Sequence, residues 1–273
     1  MFKYDYHVHT RYSHDSDVNL DDYCLKAVGL GIDELGFSDH LDLDPRDPGC
    51  GYYDWKRFGE DFAEIKARFS SQITLKKGIE ITYQEEFRGL IEKIVSEGSY
   101  DYTLSGIHLA KGVFYTGYWC EAQLARFDSA SSAFKNYFEE LENSVKSGLI
   151  DIVAHIDVIK RHGERVFGKL NPADFKTEYD SILKIMVDND IALEINAGEI
   201  SNFRREFLYP DDWIINRYRS LGGKLVTFGS DSHSVDALFG GYSQAMKKAR
   251  EFGFDSWCVF DRRNRSLMKF SDV

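Results

Sequence analysis

The chain has 273 residues, of which 43% are hydrophobic and 29% are charged, and its formal net charge is −11 at pH 7. These proportions are typical of a soluble globular protein, and an acidic chain without a long basic stripe is a poor candidate for binding nucleic acid through its phosphates. The sequence lacks both an apolar stretch long enough to span a membrane and a basic start followed by an apolar run, which argues against a membrane protein and a signal peptide.

Short apolar runs alternate with longer amphipathic segments along the whole chain. The short runs are predicted strands at 2–9, 33–40, 72–80, 100–108, 150–157, 191–196 and 224–233. The longer segments are predicted helices, because their apolar positions recur at spacings of three and four residues. They cover 19–31, 54–69, 85–98, 134–148, 174–189, 211–223 and 238–253.

This regular alternation of strand and helix predicts an α/β fold with a parallel sheet. Seven strand–helix units, with a possible eighth strand at 256–260, favour a closed barrel of the TIM-like type over an open sheet. Two of the four prolines, Pro45 and Pro48, indicate a long loop after the second strand. No internal repeat or linker interrupts the pattern, so we predict a single domain over 1–273.

Histidines and acids are concentrated at the ends of the predicted strands. Six of the eight histidines lie there, namely His7, His9, His40, His108, His155 and His233, and three acids lie at or near the same positions, namely Asp15, Glu80 and Asp231. In a βα barrel the carboxyl ends of the strands converge on one face, so these nine side chains are expected to meet. Imidazole and carboxylate are good ligands for divalent transition metals. The sequence therefore predicts a metal centre on that face.

Two positions near this group keep alternative interpretations. Asp15 has two nearby competitors as a metal ligand, Asp17 and His14. Asp157 follows His155 by two residues, and it is a candidate either for a hydrogen-bond partner of a metal ligand or for a catalytic proton carrier. The sequence does not choose between these two roles.

Six short motifs carry the strand-end residues: HVH at 7–9, SDH at 38–40, GIE at 78–80, GIH at 106–108, AHID at 154–157 and GSDSH at 229–233. In order and spacing they resemble the motifs of the polymerase and histidinol phosphatase (PHP) superfamily over nearly the whole chain. The length of the chain and the run IDVIKR at 156–161 most resemble the stand-alone histidinol-phosphate phosphatases.

The resemblance implies a distorted (β/α)7 barrel with a centre of three divalent metal ions, zinc, manganese or iron. It assigns His7, His9, Glu80 and Asp231 to the first ion, Asp15, His40 and His233 to the second, and His108 and His155 to the third, with Glu80 bridging the first and third. Many members of the superfamily carry histidine at the position of Asp15. A carboxylate at that position is expected to shift the metal preference from zinc towards manganese or iron.

The resemblance also implies an activity, the metal-dependent hydrolysis of a phosphomonoester, and most closely that of L-histidinol phosphate in histidine biosynthesis. A water molecule that bridges the first two metals would be deprotonated near neutral pH and would attack phosphorus in line. The counterpart of Arg161 is a phosphate ligand in the family, and the planar guanidinium fork suits that role. A second phosphate-binding arginine is expected before Tyr209, where Arg204 and Arg205 both remain candidates.

The organic half of the substrate is expected to meet the loop at 110–121. Tyr115, Tyr118 and Trp119 are candidates for stacking on an imidazole, and Glu121 is a candidate partner for an amine. The alternative is that these aromatic residues simply close a hydrophobic loop.

Two other functions are compatible with the same residues. The first is hydrolysis of a different phosphoester: another small phosphomonoester, a nucleotide or a phosphotyrosyl protein. The second is a non-catalytic metal-binding scaffold, which is disfavoured because every ligand position is filled by a competent side chain. The four cysteines, at 24, 50, 120 and 258, form no CxxC pair, which fits a reduced cytoplasmic enzyme.

Overall fold

Parallel strands surrounded by helices form the centre of the protein, a computed structural model of which describes residues 2–270. The strands are β1 (Tyr4–Asp5), β2 (Glu34–Phe37), β3 (His40–Leu41), β4 (Thr74–Lys77), β5 (Glu80–Ile81), β6 (Leu104–Ser105), β7 (Leu109–Ala110), β8 (Val113–Phe114), β9 (Ile152–Val153), β10 (Ala192–Asn196), β11 (Val226–Gly229), β12 (Ser256–Asp261) and β13 (Asn264–Lys269).

Within residues 2–270, ten α-helices accompany these strands. They are α1 (Leu20–Leu30), α2 (Trp55–Phe69), α3 (Arg88–Gly98), α4 (Cys120–Leu124), α5 (Ala130–Lys146), α6 (Lys160–Phe167), α7 (Lys176–Asp188), α8 (Gly198–Ser201), α9 (Asp212–Ser220) and α10 (Tyr242–Glu251). Seven of them fall where the hydrophobic spacing predicts helices. The three others, α4, α6 and α8, are short and lie in loops between strands and helices, where few apolar positions are available to reveal a period.

The strands pair in parallel in the order β1-β2-β4 and in the order β3-β5-β6-β9-β10-β11. The two arrays are continuous, because β2 and β3 are parts of one chain segment and β4 and β5 are parts of the next. Between those parts, the backbone N–H of Gly78 donates to the carbonyl of Phe37 at 2.7 Å, and that of Glu80 donates to Asp39 at 3.0 Å. The two segments therefore remain paired through the interruption.

The last strand of the series returns to the first. The backbone N–H of Tyr6 donates to Phe228 O at 3.4 Å, that of Ser232 donates to His7 O at 3.2 Å, and that of His9 donates to Ser232 O at 2.9 Å. These bonds close a ring of seven parallel segments whose order follows the chain. The structure thus confirms the predicted α/β fold of the distorted (β/α)7 barrel type.

Helix α2 illustrates how the outer layer is attached to the barrel. Its side chains Phe58, Phe62, Ile65 and Phe69 are buried, and their spacing of four, three and four residues places them on one face. Asp54 caps the helix by accepting hydrogen bonds from the first backbone N–H groups. Burial of each of these large apolar side chains contributes about 1.5–3 kcal/mol.

The segment at 256–260 is a strand, as predicted, but it does not join the barrel. It belongs to β12, which pairs antiparallel with β13 in a separate hairpin. Phe260 packs against Tyr6, with ring centroids 6.3 Å apart, and its backbone N–H donates to the Tyr6 hydroxyl at 3.2 Å. Arg263, in the hairpin turn, donates to the carboxylate of Asp151, which immediately precedes β9. The hairpin therefore covers the amino-terminal end of the barrel.

Two further features of the described residues are the pairing state of the cysteines and the length and hydrophobicity of the helices. All four cysteines are free, and three of them are buried: Cys24, Cys120 and Cys258. Within residues 2–270, none of the helices combines the length and the apolar character needed to cross a lipid bilayer.

Candidate metal centre

All nine predicted ligands lie together at the carboxyl-terminal end of the barrel, opposite the β12–β13 hairpin. The paired part of each strand is short, and eight of the predicted ligands follow it within four residues or begin the next part of the same segment, whereas Asp15 lies in the loop between β1 and α1. His7 and His9 follow β1, His40 begins β3, and Glu80 begins β5. The strands are parallel, so their carboxyl ends lie on the same face of the ring, and the alternation of side chains along each strand turns these groups towards one another.

Glu80 is the centre of the cluster, and it is fully buried. Its carboxylate oxygens lie within 3.6 Å of a ring nitrogen of each of five histidines: His7, His9, His40, His108 and His155. Burial raises the pKa of this carboxyl, but the neighbouring imidazoles outweigh burial and hold the pKa well below its usual value. Glu80 is therefore an anion that five imidazoles share.

His7 and His9 form one group of donor atoms with Asp231. The Asp231 Oδ1 atom lies 3.3 Å from His9 Nε2 and 3.7 Å from His7 Nε2. One donor atom from each of the three residues lies within 4.8 Å of the other two, which is close enough for all of them to contact one ion. Burial raises the pKa of the Asp231 carboxyl, but His7, His9 and His233 reverse this effect and keep it well below its usual value.

Two further groups flank the first one. Asp15 Oδ2 lies 3.3 Å from His233 Nε2 and 3.6 Å from His40 Nε2. On the other side, the Nε2 atoms of His108 and His155 lie 3.5 Å apart. The three groups meet at Glu80, whose oxygens contact His7 and His9 of the first, His40 of the second, and His108 and His155 of the third.

The donor atoms at the centre of this cluster lack hydrogen-bond partners within the described part of the chain. They are His7 Nε2, His9 Nε2, His40 Nδ1 and Glu80 Oε2, and all four are buried. A buried polar atom without a partner typically costs about 1–3 kcal/mol. Four such atoms in one place are therefore a substantial cost unless cations satisfy them, and nitrogen and carboxylate oxygen are ligands that divalent transition metals prefer. The residues fit a divalent metal centre.

The opposite ring nitrogens of four histidines are held by other protein groups. Their partners are Glu194 for His7 at 2.7 Å, Ser13 for His9 at 3.1 Å, Thr82 for His108 at 3.0 Å, and the backbone carbonyl of Asp231 for His233 at 2.9 Å. In each case the partner engages Nδ1, which leaves Nε2 for the cluster. Such contacts fix the ring orientation and the tautomer of metal-binding histidines.

Glu194 is a functional candidate that the sequence reasoning missed. Its Oε1 atom contacts His7 Nδ1, while its Oε2 atom accepts from the backbone N–H of His155 and from Asn196 Nδ2, both at 2.9 Å. A Cβ atom at Gly229 would lie 2.1 Å from Glu194 Oε1, so only glycine fits beside this carboxylate. The available signal was a charged residue in the middle of the apolar strand IALEIN.

Replacement of Glu194 by Gln is expected to weaken metal binding. Loss of the charged partner of a metal-binding histidine typically lowers metal affinity by about 10–100-fold. Titration of the metal-free variant against a chromophoric chelator measures this affinity, and Glu64→Gln on the exposed face of α2 is the matched control. Equal affinities in Glu194→Gln and wild type would show that Glu194 only fills space.

Two of the predicted ligands have strained backbones. His155 has a φ of 23° and Asp231 a φ of 54°, in the left-handed region that side chains other than glycine rarely adopt. Each such residue costs about 1–3 kcal/mol and persists only where its surroundings hold it. For His155 one such restraint is the hydrogen bond from its backbone N–H to Glu194.

A cavity of about 1000 Å³ opens above the cluster. Arg161 and Arg205 lie on its wall, with their guanidinium groups 5.0 Å and 5.5 Å from the centre of the Phe203 ring. Arg204, the other candidate, is exposed and is not on the wall. The structure therefore brings Arg161 and Arg205 together and leaves Arg204 outside.

The predicted substrate loop reaches the cavity with some of its residues. Tyr118, Trp119 and Glu121 line it, and the first two are largely exposed. Glu121 already accepts hydrogen bonds from His162 and Arg165. The loop therefore supplies aromatic surface together with a carboxylate that is already paired.

Tyr115 and Asp157 are not brought to the cavity. Tyr115 is fully buried and donates to the carbonyl of Ala133 at 3.1 Å, because its neighbours Phe114 and Thr116 take the side of the loop that faces the cavity. The Asp157 carboxylate accepts from Lys160 Nζ at 2.8 Å and from a backbone N–H at 2.9 Å. Both contacts engage Oδ2, while the buried Oδ1 has no hydrogen-bond partner among the described residues.

The chain is similar to known proteins over nearly its whole length. The model of the PHP domain family matches residues 5–198. A probable histidinol-phosphatase from Clostridium acetobutylicum is 29% identical over 98% of this chain and 99% of its own length. The histidinol-phosphatase of Lactococcus lactis is 22% identical over 98% of this chain and 99% of its own length.

One solved structure resembles this fold closely. It is the crystal structure of histidinol phosphate phosphatase from Lactococcus lactis in complex with zinc, L-histidinol and phosphate. The TM-score is 0.82 at 20% sequence identity, and the match covers 97% of this chain and 98% of that one. The two folds therefore agree over almost their full lengths.

Proposed function

The chain belongs to the PHP domain family, and on this basis we propose that it is a metal-dependent phosphatase that hydrolyses L-histidinol phosphate to L-histidinol and phosphate in histidine biosynthesis. The observation that carries the proposal is the cluster of nine candidate ligands, five of them buried, at the floor of a cavity with two arginines on its wall. The relatives named histidinol-phosphatase, which this chain matches over nearly its full length, support the choice of substrate.

The cluster would hold three divalent ions. The group of His7, His9 and Asp231, together with Glu80, would take the first, Asp15 with His40 and His233 the second, and His108 with His155 and Glu80 the third. These assignments are supported by carboxylate oxygens that lie 2.9–3.7 Å from the histidine nitrogens grouped with them. A carboxylate at Asp15 is a harder ligand than imidazole, and it favours manganese or iron over zinc.

Divalent ions bound here would lower the pKa of a water molecule and neutralise charge on the phosphoryl oxygens. The chain's own residues bind and orient the substrate. Arg161 and Arg205 present guanidinium groups from the wall, and a planar fork suits a phosphoryl group. Tyr118 and Trp119 offer aromatic surface to the organic half of the substrate.

We also propose that the chain forms one catalytic domain and acts in the cytoplasm. The apolar residues of all the barrel strands and of the helices around them form one continuous core, which supports a single domain. The four free cysteines fit a reducing compartment. The partner is a small phosphorylated substrate.

A panel of phosphate esters tests the proposed substrate. The metal-loaded enzyme is assayed with L-histidinol phosphate, other small phosphomonoesters, a nucleoside monophosphate and a phosphotyrosyl peptide. L-Histidinol phosphate is expected to have the highest kcat/KM by about tenfold or more, which corresponds to about 1.4 kcal/mol. A higher value for the phosphotyrosyl peptide would transfer the assignment to that substrate, and no turnover with metals bound would favour the scaffold alternative.

Arg161→Ala is expected to lower turnover by about 10²–10³-fold, the usual cost of losing one group that stabilises charge in the transition state. Metal content should not change, because Arg161 contacts none of the nine ligands through a hydrogen bond or ion pair among the described residues. Arg161→Lys should recover little, since a point charge cannot reproduce the fork. Steady-state kinetics with metal analysis measure both quantities, and Arg57→Ala on the exposed face of α2 is the control. Normal kinetics in Arg161→Ala would place the phosphate elsewhere.

A further inference from the structure

Glu199, in α8, is a buried carboxylate that joins the two arginines on the cavity wall. It is fully buried. Its Oε1 atom accepts from Arg161 Nε and, at 2.8 Å, from the hydroxyl of Tyr209. Its Oε2 atom accepts from an Nη atom of Arg205 at 2.7 Å. One carboxylate therefore holds both guanidinium groups.

The two arginines come from different segments of the chain and share Glu199 as a partner. Arg161 comes from α6 and Arg205 from the turn after α8, and both guanidinium groups lie beside the Phe203 ring. Two positive charges beside the same ring repel each other, and long side chains that lack a partner sample many rotamers. The carboxylate between them removes the repulsion and fixes both orientations.

The contacts with Glu199 leave donor groups on the arginines free. In Arg161 the bond to Glu199 uses Nε, and within residues 2–270 the two terminal nitrogens donate to no protein group. Glu199 itself does not line the cavity, whereas both arginines do. Any effect of Glu199 on a bound anion must therefore pass through the arginines.

We propose that Glu199 is a positioning residue that preorganises Arg161 and Arg205 to receive the phosphoryl group of the substrate. This inference rests on the proposed phosphatase function and adds to it the group that builds the phosphate site. If the two guanidinium groups are oriented before the substrate arrives, the entropy cost of ordering their side chains is not part of the free energy of binding or of the activation barrier.

The test is Glu199→Gln in the metal-loaded full chain. The amide keeps the shape of the side chain but loses the charge, and it can turn an acceptor oxygen to only one arginine. The KM for the substrate and the inhibition constant of inorganic phosphate are expected to rise, and kcat/KM is expected to fall by about 10²-fold, as for a misplaced binding group. Metal content is expected to stay at the wild-type value, and Glu199→Asp, which keeps the charge, should recover part of the loss.

Two further variants separate positioning from a general structural role. Tyr209→Phe removes the third partner of the same carboxylate but leaves both arginines bound, so its kinetics should stay near wild type. In the Arg161→Ala, Arg205→Ala background, adding Glu199→Gln should weaken phosphate binding no further, because a residue that acts through the arginines has nothing left to position. A further loss in that background would overturn the inference.

The failure of this inference and that of the proposed function give different results. If the wild type hydrolyses the substrate and Glu199→Gln has the same KM and the same phosphate inhibition, the positioning role is wrong and the phosphatase stands. If the wild type hydrolyses no phosphomonoester, the function is wrong, and calorimetry with inorganic phosphate still tests the positioning. Weaker phosphate binding by Glu199→Gln than by wild type would support it, and equal binding would refute it.

Discussion

Removal of the metals with a chelator is expected to abolish phosphatase turnover and to lower the temperature of thermal unfolding at the same time. Among the described residues the four central donor atoms have no hydrogen-bond partner to replace a metal, and three carboxylates would remain in the cluster. Ions that bind only the folded state stabilise it by about 2.7 kcal/mol when their concentration is 100 times Kd. A turnover loss and a stability loss with the same dependence on metal concentration would show that one site causes both.

Protons compete with the metals for this site. Burial lowers the pKa of His7, but Glu194, Glu80 and Asp231 outweigh it and raise the pKa well above its usual value. In His40 the raising groups are Asp15 and Glu80. The raised pKa values favour protons on these two rings, and a metal ion that binds there must displace them, so metal retention is expected to weaken as the pH falls.

The measurement combines metal analysis, turnover and thermal unfolding after dialysis against a chelator at two pH values. Addition of manganese, iron or zinc to separate samples should restore turnover and the unfolding temperature together, and it identifies the preferred ion. Full turnover in a sample shown to be free of metal would refute the hydrolytic role of the cluster.

Glu80→Gln is the single substitution with the largest expected effect. The amide keeps the volume of the side chain but removes the charge that five imidazoles share, in a position that is fully buried. We expect fewer than three metals per chain and a turnover reduced by about 10³-fold or more, the upper end of the cost of one lost electrostatic contact.

Metal content per folded chain and initial rates at saturating substrate measure this effect. The matched control is Glu97→Gln at the exposed end of α3, which should retain the wild-type metal content. Circular dichroism confirms that the Glu80→Gln chain is folded before its metal is counted. A folded variant with a full complement of metals and normal turnover would mean that Glu80 is not the bridging ligand.

The meeting of the candidate ligands at one end of the barrel could be predicted because it depends on local properties of the chain. Strand direction and the two-residue alternation place His7 and His9 on one side of one strand end, and the same reasoning applies to Asp231 and His233. The ring of strands then brings these ends together without further information. The convergence of these side chains needed only the period of each segment and the rule that parallel strand ends converge, whereas their division among three ions came from the resemblance to the PHP superfamily.

Other features depend on contacts between distant parts of the chain. Glu194 is visible as an acid in an apolar strand, but its partner His7 is 187 positions away. The strand at 256–260 has the composition of a barrel strand, yet it pairs with β13 because that segment follows it directly. No periodicity in the sequence distinguishes these outcomes.

The backbone conformation determines which of the adjacent residues Arg204 and Arg205 reaches the cavity. Arg204 has a φ of 54°, which turns the chain at that residue and directs Arg205 to the wall. The sequence gives no indication that the chain turns at Arg204. Both arginines therefore remained candidates until the structure was known.

The closure of the barrel also determines when the metal centre can form during synthesis. Tyr4 of the first strand and Phe228 of the last one, 224 positions apart, are joined by a hydrogen bond, and the ligands His7 and Asp231 follow these two strands. Nearly the whole chain must therefore leave the ribosome before His7 and Asp231 can come together. Metal acquisition is then a late event in the life of each molecule, after a slow non-local pairing step, and an unfinished chain cannot retain the complete centre.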